Sequence, residues 1–470
     1  MSATIGNVSV ETGLDVLVRR RGSLLRGRRF GLVAHQASVD SRHEHAATLL
    51  ADLPRARLVR LFAPEHGLWG AAQDHAPIAG TRDPVTGLPV VSLYGERRAP
   101  TLAMLRGLDA LVVDLQDVGS RYYTFVWTMA LAMPVCARAG VPVIVLDRPN
   151  PLGGTVEGNV PDPAFASFVG LYPLPTRHGM TIGELAAYLN AEHRLGCDLT
   201  VIAMRGWRRS MLWEDTGVPW VAPSPNMPTP DTARVYPGGC LYEGTNLSEG
   251  RGTTRPFEWV GAPYLDAHAF ADDLNRRRLP GVHFRPSRFV PTFHKWAGRL
   301  CGGVQIHVTH AASFKPYITG LAVVASARRL GRRAFRWRRP PYEFEHRKLP
   351  FDILCGTDTV RRAIERGEPL ATLERRWQPA RARWLPPPLE ARQWLSALEK
   401  SPVKKFFTVP PRELALSLTL PSFRLPQKPL AWGSAALPAS LNFSPVNFAL
   451  SATVLPTPLA VSSTPSPSLP

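Results

Sequence analysis

The amino-acid sequence predicts an α/β protein: a Rossmann-like, doubly wound parallel sheet with a second, smaller α+β domain. Short β-branched and apolar runs alternate with segments of helical apolar spacing through the first half of the chain. Such an alternation favours parallel strands joined by helical crossovers. A chain of 470 residues that is 44% hydrophobic is also long enough to fill more than one core.

Five strands are predicted in the first half, each a strand-sized run of apolar or β-branched residues. They cover residues 29–33, 57–62, 90–93, 110–113 and 142–146. Apolar residues at helical spacing predict three helices between them, over residues 43–50, 101–105 and 125–138. Ligands of such sheets bind beyond the carboxyl ends of the strands, so functional residues are expected directly after each strand.

The smaller domain is predicted from a second set of elements that begins near residue 265. Its helices are predicted over residues 266–277, 315–327 and 357–366, and its strands over residues 282–284 and 303–310. We assign residues 10–260 to the Rossmann-like domain and residues 261–398 to the smaller domain, which would close a cleft. Residues 401–470 are rich in Pro and Ser and lack sustained periodicity, so a disordered tail is expected there.

The formal charge of +19 does not by itself indicate a nucleic-acid partner. The excess is almost wholly arginine, and the arginines recur along the whole chain rather than on one element with interleaved aromatic residues. The five cysteines are odd in number and include no CxxC pair, so buried free thiols are expected in place of disulfides or a zinc ribbon. We therefore expect no nucleic-acid partner.

Several familiar site motifs are missing from the sequence. It has no HExxH pair, no GxSxG elbow, no GxxxxGK[ST] loop and no GxGxxG after the first strand. We therefore expect neither a metal nor a cofactor. No apolar run approaches the roughly 18–20 residues that cross a bilayer, and residues 1–15 lack a secretory pattern, so no membrane span and a cytoplasmic location are expected.

The best candidate site follows the second predicted strand, in the run FAPEHGLWG. Glu65 and His66 come directly after that strand, and Gly67 shapes the turn. A carboxylic acid sheltered by apolar neighbours such as Phe62 and Trp69 is suited to the role of general acid. Helix capping is the alternative for an isolated Glu at this position.

Polar side chains also follow the fourth and fifth predicted strands, in the runs DLQDVGSRYY and LDRPNPLGG. Parallel strands bring these residues to one edge of the sheet. An arginine fork that faces the cleft would imply an acidic substrate group, and an internal Asp–Arg pair is the alternative. The candidate binding residues are Asp114, Asp117, Arg121, Tyr122, Arg148 and Asn150.

The densest polar segment, YPGGCLYEGTNLSEGRGTTRPFE, begins at residue 236 and is predicted to be a binding loop rather than a core element. Glycines on both sides of Arg251 would let a ligand approach the backbone closely. Glu243 and Glu249 could supply the second carboxylate that glycoside hydrolysis commonly uses. Three tryptophans around SPNMPT could form a sugar-stacking wall or pack in the core: Trp207, Trp213 and Trp220.

Taken together, the motifs FAPEHGLWGAAQD, DLQDVGSRYYTF, LDRPNPLGG, RHGMTIGE, PSPNMPT and LYEGTNLSEGRGTTRPFE resemble the exo-β-N-acetylmuramidase family of glycoside hydrolases. The resemblance covers about residues 10–395. It implies a Rossmann-like domain joined to a smaller domain, and a peptidoglycan-derived saccharide from whose non-reducing end N-acetylmuramic acid is hydrolysed. The matching motifs add His178, Asn226 and Asn246 to the candidate binding residues.

By this resemblance Glu65 is the leading catalytic residue and protonates the glycosidic oxygen. The candidate catalytic set also includes His66, Glu243 and Glu249. The second participant could be Glu243, Glu249, Asp117 or the substrate's own acetamido oxygen.

The lactyl carboxylate of N-acetylmuramic acid would give Arg121, Arg148 or Arg251 a partner. A rival hypothesis is a non-catalytic protein that binds muropeptides or acidic saccharides. Such a protein would use the same arginines and would not need Glu65.

Overall fold

A seven-stranded sheet is formed by the first half of the chain in the computed structural model, which describes residues 10–72 and 81–384. In chain order its strands are β1 (Arg29–Ala34), β2 (Arg57–Ala63), β3 (Thr81–Arg82), β4 (Pro89–Ser92), β5 (Ala110–Asp114), β6 (Val143–Leu146) and β7 (Leu199–Ile202). Across the sheet the order is β3-β4-β2-β1-β5-β6-β7, and all neighbours are parallel except β3 and β4. The predicted parallel sheet is confirmed.

The six parallel strands start from the centre of the sheet and proceed outward in two directions, as in Rossmann-like proteins. The strand order reverses between β1 and β5, and a crevice forms outside the carboxyl ends of the strands at such a point. β5 and β6 are buried along their whole length, and β1 beyond its first residue. Burial on both faces explains their near-continuous apolar sequences.

The helices of this half are α1 (Gly13–Arg19), α2 (Ala46–Ala51), α3 (Leu102–Leu105), α4 (Phe125–Ala139) and α5 (Ile182–Glu192). α2 begins three residues later than predicted, because His45 is its N-cap and accepts a hydrogen bond from the N–H of Ala47. α5, which the sequence analysis did not predict, begins with a capping box of Thr181 and Glu184. β7 was also missed, and its run Leu-Thr-Val-Ile has only four residues.

The second half contains a three-stranded antiparallel sheet in the order β8-β10-β9, with β8 at Trp259–Ala262, β9 at Val282–Phe289 and β10 at Cys301–Val308. Its helices are α6 (Pro230–Gly239), α7 (Ala267–Arg276), α8 (Pro316–Gly331), α9 (Pro350–Cys355), α10 (Thr359–Arg366) and α11 (Leu370–Trp384). The predicted α+β character of this half is confirmed. β9 continues beyond the predicted end through Pro286, since an edge strand tolerates a residue without an N–H donor.

The first part of the segment that we predicted to be a binding loop, residues 236–244, is helical. Tyr236 to Gly239 form the last turn of α6, and residues 240–244 continue as a 3₁₀ turn whose side chains are buried. A methyl group on Gly238 would lie 2.0 Å from the carbonyl oxygen of Pro316. The glycine therefore serves the close packing of α6 against the start of α8.

One large apolar core joins the two halves of the chain. Trp127 and Leu185 beside the parallel sheet belong to the same buried cluster as Leu241, Val304 and Tyr317 from the second half. A separate cluster, which includes Leu14 and Leu50, covers the other face of the parallel sheet. The cavity described below is therefore built from both halves around a shared core.

Three further expectations concern the whole chain. All five cysteines are free and buried, as predicted. No helix within residues 10–72 and 81–384 is long and apolar enough to span a membrane. The tail predicted over residues 401–470 lies outside the described residues.

Glu157 is a buried carboxyl group at the contact between the two halves. Its Oε1 accepts a hydrogen bond of 3.1 Å from the N–H of Ile318, in the first turn of α8. Burial raises the pKa of Glu157 to about 7, although this hydrogen bond and the charge of Arg177 act in the opposite direction. The folded protein consequently binds a proton here that the unfolded chain has already lost above pH 4.5.

The substitution Glu157→Gln should stabilise the fold increasingly as the pH rises. Between pH 4.5 and about 7 the folded state binds one proton more than the unfolded state, so the wild-type free energy of unfolding falls with pH. Glutamine has no such dependence, and its advantage over wild type should grow by up to about 3 kcal/mol across this window. Urea unfolding of both proteins from pH 4.5 to 8 measures it, and a difference independent of pH would contradict the raised pKa.

Candidate active site

A cavity of about 530 Å³, counting the space open to solvent, lies beyond the carboxyl ends of the central strands. It collects side chains from after β2, from between β5 and α4, from the segment before α6, and from the second half. Its polar residues are of the kinds that bind and hydrolyse saccharides. The cavity is lined by Glu65, His66, Tyr122, Tyr123, Thr124, Phe125, Val169, Ser224, Asn226, Met227, Tyr236, Cys240, Glu243, Arg251, Phe257, Tyr342 and Glu343.

Glu65 reaches the cavity from a tight turn at the end of β2. The N–H of Gly67 donates to the carbonyl oxygen of Pro64 at 3.1 Å, which closes the turn. His66 has a φ of 70°, a left-handed conformation that a residue with a side chain rarely adopts. Its Nδ1 lies 2.9 Å from the carbonyl oxygen of Ala72, and this contact fixes the ring at the cavity wall.

Thr124 orients the carboxyl group of Glu65. It is the N-cap of α4, yet its side chain makes no capping hydrogen bond to the helix. Its hydroxyl instead donates to Glu65 Oε2 at 2.7 Å, with both groups buried. A side chain that usually satisfies a helix end is therefore used to fix a carboxyl group in the cavity.

Glu243 is the second predicted carboxylate that lines the cavity. Its Oε1 accepts from Arg251 Nη2 at 2.7 Å, and its Oε2 accepts from the hydroxyl of Tyr342 at 2.8 Å. Both partners also line the cavity. Glu65 thus accepts a hydrogen bond from a hydroxyl group, whereas Glu243 accepts hydrogen bonds from a guanidinium group and a phenol.

Glu249 lies behind the cavity, where the basic side chains of Lys295, His294 and Arg251 surround it. Lys295 Nζ is 2.8 Å from Oε2, His294 Nδ1 is 2.8 Å from Oε1, and Arg251 Nε is 3.3 Å from Oε1. Burial alone would raise the pKa of Glu249, but Lys295, His294 and Arg251 hold it well below its usual range. Glu249 is an ionised anchor for Arg251 and does not line the cavity.

A row of aromatic rings forms one wall. Successive edge-to-face contacts join Phe125 to Tyr123, Tyr123 to Tyr236, and Tyr236 to Phe257, with ring centroids 4.7, 5.9 and 4.9 Å apart. The guanidinium carbon of Arg251 lies 5.1 Å from the centre of the Phe257 ring. Burial raises the pKa of Tyr123 and of Tyr236 well above the usual phenol value, so both are neutral.

The three predicted tryptophans lie elsewhere. Trp213 and Trp220 pack edge to face in a small core with Val10, and Trp207 borders it. The packing alternative is therefore the one observed. Trp69, expected to shelter Glu65, is 45% exposed and donates its indole N–H to Asp83.

Arg148 and Asp114 form an internal pair. Arg148 Nε donates to Asp114 Oδ1 at 2.5 Å, and Nη2 donates to Oδ2 at 2.8 Å and to the carbonyl oxygen of Val39 at 2.9 Å. These bonds connect the ends of β5 and β6 to the loop after β1. Neither side chain lines the cavity.

Arg121 also binds protein groups. Its Nη1 donates to the carbonyl oxygens of Asn159 and Leu174 at 2.7 and 2.8 Å, and its Nη2 donates to that of Leu354 at 2.8 Å. It joins the first half to the end of α9. Of the three predicted arginines, only Arg251 lines the cavity.

The remaining predicted residues also fall into two groups, those that line the cavity and those that bind other protein groups. Asp117 accepts from the N–H of Gly119 at 2.7 Å and lies 3.2 Å from His178 Nε2, and Asn150 donates to the carbonyl oxygen of Met180. Asn246 accepts from the hydroxyl of Tyr264. None of these four predicted residues lines the cavity, whereas Tyr122 and Asn226 do.

His35 is a positioning residue that the sequence analysis missed. It lies after β1, accepts from the N–H of Gln116 at its Nε2 (2.9 Å), and its Nδ1 lies 3.2 Å from the carbonyl oxygen of Pro223. Burial and the nearby charge of Arg148 lower its pKa well below the usual value, so the ring is neutral. It holds the segment that carries Ser224 against the sheet.

Thr124, Tyr342 and Glu343 line the cavity and were also missed. Thr124 comes directly after the run DLQDVGSRYY, so the sequence could have identified it as a candidate site residue. Tyr342 lies 99 residues beyond Glu243 along the chain, and only the packing of the two halves brings Tyr342 and Glu343 to the cavity. Within the described residues, no group of three His, Cys, Asp or Glu side chains could hold a metal ion.

The fold and the cavity define a hydrolase of the glycosidase class. Two of the three carboxyl groups that line the aromatic-walled cavity, those of Glu65 and Glu243, lie in different surroundings, as hydrolysis of a sugar by a proton donor and a second carboxylate requires. Residues 30–231 match the family described as "Exo-beta-N-acetylmuramidase NamZ, N-terminal", and residues 234–386 match its C-terminal counterpart. The chain belongs to the exo-β-N-acetylmuramidase NamZ family.

Known relatives agree with this assignment. The chain is 46% identical, over 76% of its length and 85% of the relative's, to the peptidoglycan β-N-acetylmuramidase NamZ of Bacillus subtilis. A crystal structure of a DUF1343 family protein from Bacteroides fragilis superposes with a TM-score of 0.70 at 34% identity, covering 84% of this chain and 98% of that one. A second DUF1343 protein from the same organism gives a TM-score of 0.63 at 28% identity, covering 83% and 98%.

Replacing Glu249 by Gln should destabilise the fold by about 3–5 kcal/mol at pH 7, because the buried Arg251 and the half-buried Lys295 lose an anionic partner. A carboxyl group whose pKa is lowered in the folded state stabilises the fold above its ordinary pKa of 4.5, and this contribution is lost as the pH falls below that value. The difference in unfolding free energy between wild type and E249Q should therefore shrink between pH 7 and pH 3.5. Urea titrations measure it, and a loss below 1 kcal/mol at pH 7 would contradict the anchoring role.

Proposed function

We propose that this protein is an exo-acting glycoside hydrolase that releases N-acetylmuramic acid from the non-reducing end of peptidoglycan fragments, with Glu65 as its proton donor. The observation that carries the proposal is the cavity itself, in which the Glu of the family motif lies with Glu243 and an aromatic wall. The hydroxyl of Thr124 fixes the carboxyl group of Glu65 at 2.7 Å, as a proton donor with one defined direction requires.

The contact with Thr124 suggests which oxygen of Glu65 carries the proton. Oε2 accepts the threonine hydroxyl, so a protonated Glu65 would hold its proton on Oε1. Cleavage would transfer this proton to the glycosidic oxygen as the bond from that oxygen to the anomeric carbon breaks. A fixed carboxyl rotamer places the proton in one direction, and this reduces the reorganisation needed in the transition state.

Glu243 is the second participant that we propose among the carboxylates considered. Glu249 is enclosed by its cations, and Asp117 is held by Gly119 and His178 outside the cavity lining. Glu243 lies in the cavity with a donor on each oxygen, an arrangement suited to a carboxylate that faces a developing oxocarbenium ion.

Arg251 is the residue that we propose for recognition of the lactyl carboxylate. It is the arginine among the cavity-lining residues, and Glu249 and the Phe257 ring fix its position from behind. A guanidinium in a partly enclosed site favours a substrate that carries a carboxylate over one that does not.

The first test compares Glu65→Gln with wild type on two substrates. One is N-acetylmuramic acid β-linked to N-acetylglucosamine, whose leaving oxygen needs a proton, and the other is the 4-nitrophenyl β-glycoside, whose leaving group needs it less. We expect kcat to fall about 10²- to 10⁴-fold on the disaccharide and clearly less on the nitrophenyl glycoside.

Glu157→Gln is the matched control, since it makes the same change in a buried carboxyl group outside the cavity. It should leave both rates close to wild type at pH 6. The nitrophenyl glycoside of N-acetylglucosamine, which lacks the lactyl group, should be a poor substrate throughout. Equal losses on both muramic substrates in E65Q would remove Glu65 from the proton-donor role, and no turnover by folded wild type would favour a binding protein.

A second test concerns Thr124. Thr124→Val removes the hydroxyl and keeps the shape, so kcat on the disaccharide should fall about 10-fold or more while KM stays within about 2-fold. Thr124→Ser keeps the hydroxyl and should restore most of the rate. The pH profile of kcat should shift in the Val variant alone, and a Val variant with the wild-type profile and rate would show that the hydrogen bond is dispensable.

A further inference from the structure

A second groove lies directly beside the catalytic cavity. It encloses about 880 Å³, counting the space open to solvent, and is lined by Tyr94, Gly95, Arg338, Pro341, Phe344 and His346. Tyr342 and Glu343 line both spaces and form the wall between them. The volume is within the roughly 300–1,000 Å³ of small-molecule sites.

The shared wall is a strained hairpin turn. Tyr342 and Glu345 exchange two backbone hydrogen bonds of 2.9 Å, with Glu343 and Phe344 between them. These two residues have φ values of 45° and 66°, and tight turns of this kind favour Asn-Gly. Left-handed residues with large side chains persist where the surrounding structure holds them, and they cluster at ligand sites.

Phe344 is exposed and at the same time held in place. Its ring is 45% exposed. Edge-to-face contacts with Tyr94 and Phe168 have centroid distances of 5.9 and 6.2 Å, and the guanidinium carbon of Arg98 lies 4.7 Å from the ring centre. A fixed, exposed aromatic ring beside hydrogen-bonding side chains has the chemistry of a platform for a sugar ring.

We propose that this groove binds the saccharide on the leaving-group side of the scissile bond, an inference that rests on the proposed function. A sugar in the catalytic cavity is covalently joined to its neighbour, and the neighbouring space across Tyr342 and Glu343 is this groove. The leaving amino sugar stacks on Phe344. Its hydroxyl and acetamido oxygens accept hydrogen bonds from Arg338 and His346.

The decisive experiment changes the size of the leaving group. Wild type and Phe344→Gly are compared on the β-linked disaccharide of N-acetylmuramic acid and N-acetylglucosamine, and on the β-fluoride of N-acetylmuramic acid, whose leaving group is a single atom. Glycine removes the ring and accepts the φ of 66° without strain, so the variant should fold. Sugar release and a fluoride electrode measure the two reactions.

We expect kcat/KM for the disaccharide to fall about tenfold or more in F344G, with the fluoride within about twofold of wild type. Phe344→Ala should behave in the same way, and Leu300→Ala is the matched control for an exposed apolar residue outside the groove. Free N-acetylglucosamine should also perturb the tyrosine and tryptophan fluorescence of wild type more strongly than that of F344G.

The other outcomes separate the two proposals. Equal losses on both substrates would mean that the turn shapes the catalytic cavity, and unchanged rates on both would mean that the groove does not hold the leaving sugar. Either result overturns the inference and leaves the proposed function standing. Absence of turnover on both substrates by folded wild type would instead overturn the proposed function and this inference with it.

Discussion

The site depends on the hydrogen bond from Thr124 to Glu65, which joins the segments that follow two strands near the centre of the sheet. Glu65 belongs to the end of β2 and Thr124 to the beginning of α4, and β1 lies between the strands that precede them. The bond therefore spans the point where the strand order reverses. The carboxyl group of Glu65 is fixed by the fold's own topology, and the helix end that begins at Thr124 lacks its usual side-chain cap.

The charged side chains of the site form a series of contacts that leads from the buried Glu249 to the cavity. Glu249 anchors Arg251, Arg251 holds Glu243, and Glu243 faces the cavity. Burying these ions is costly, and replacing them by apolar groups would be expected to cost the fold little or even to stabilise it. We therefore interpret the network as a means of fixing the orientation of the Glu243 carboxylate. A flexible or solvated carboxylate would have no fixed orientation.

Sequence reasoning predicted the parallel sheet and the α+β character of the second half, and it named Glu65, Glu243 and Arg251, which line the cavity. It could do so because strand-sized apolar runs and contiguous motifs are local signals. It did not distinguish Arg251 from Arg121, because the sequence does not show whether an arginine binds backbone carbonyl groups or faces a ligand. It missed Tyr342 and the glycine packing at Gly238 because both depend on contacts between distant segments.

Backbone strain, like the buried charges, serves to orient side chains at the cavity. His66, Phe257 and Glu343 line the cavity with positive φ values of 70°, 63° and 45°. Each such residue costs on the order of 1–3 kcal/mol and is retained only where packing and hydrogen bonds over-determine it. Glycine at these positions would relieve the strain, but it has no side chain to place in the cavity. The strained backbone is therefore tolerated because it lets a tight turn direct a side chain into the cavity, and the shared apolar core behind the turns keeps them rigid.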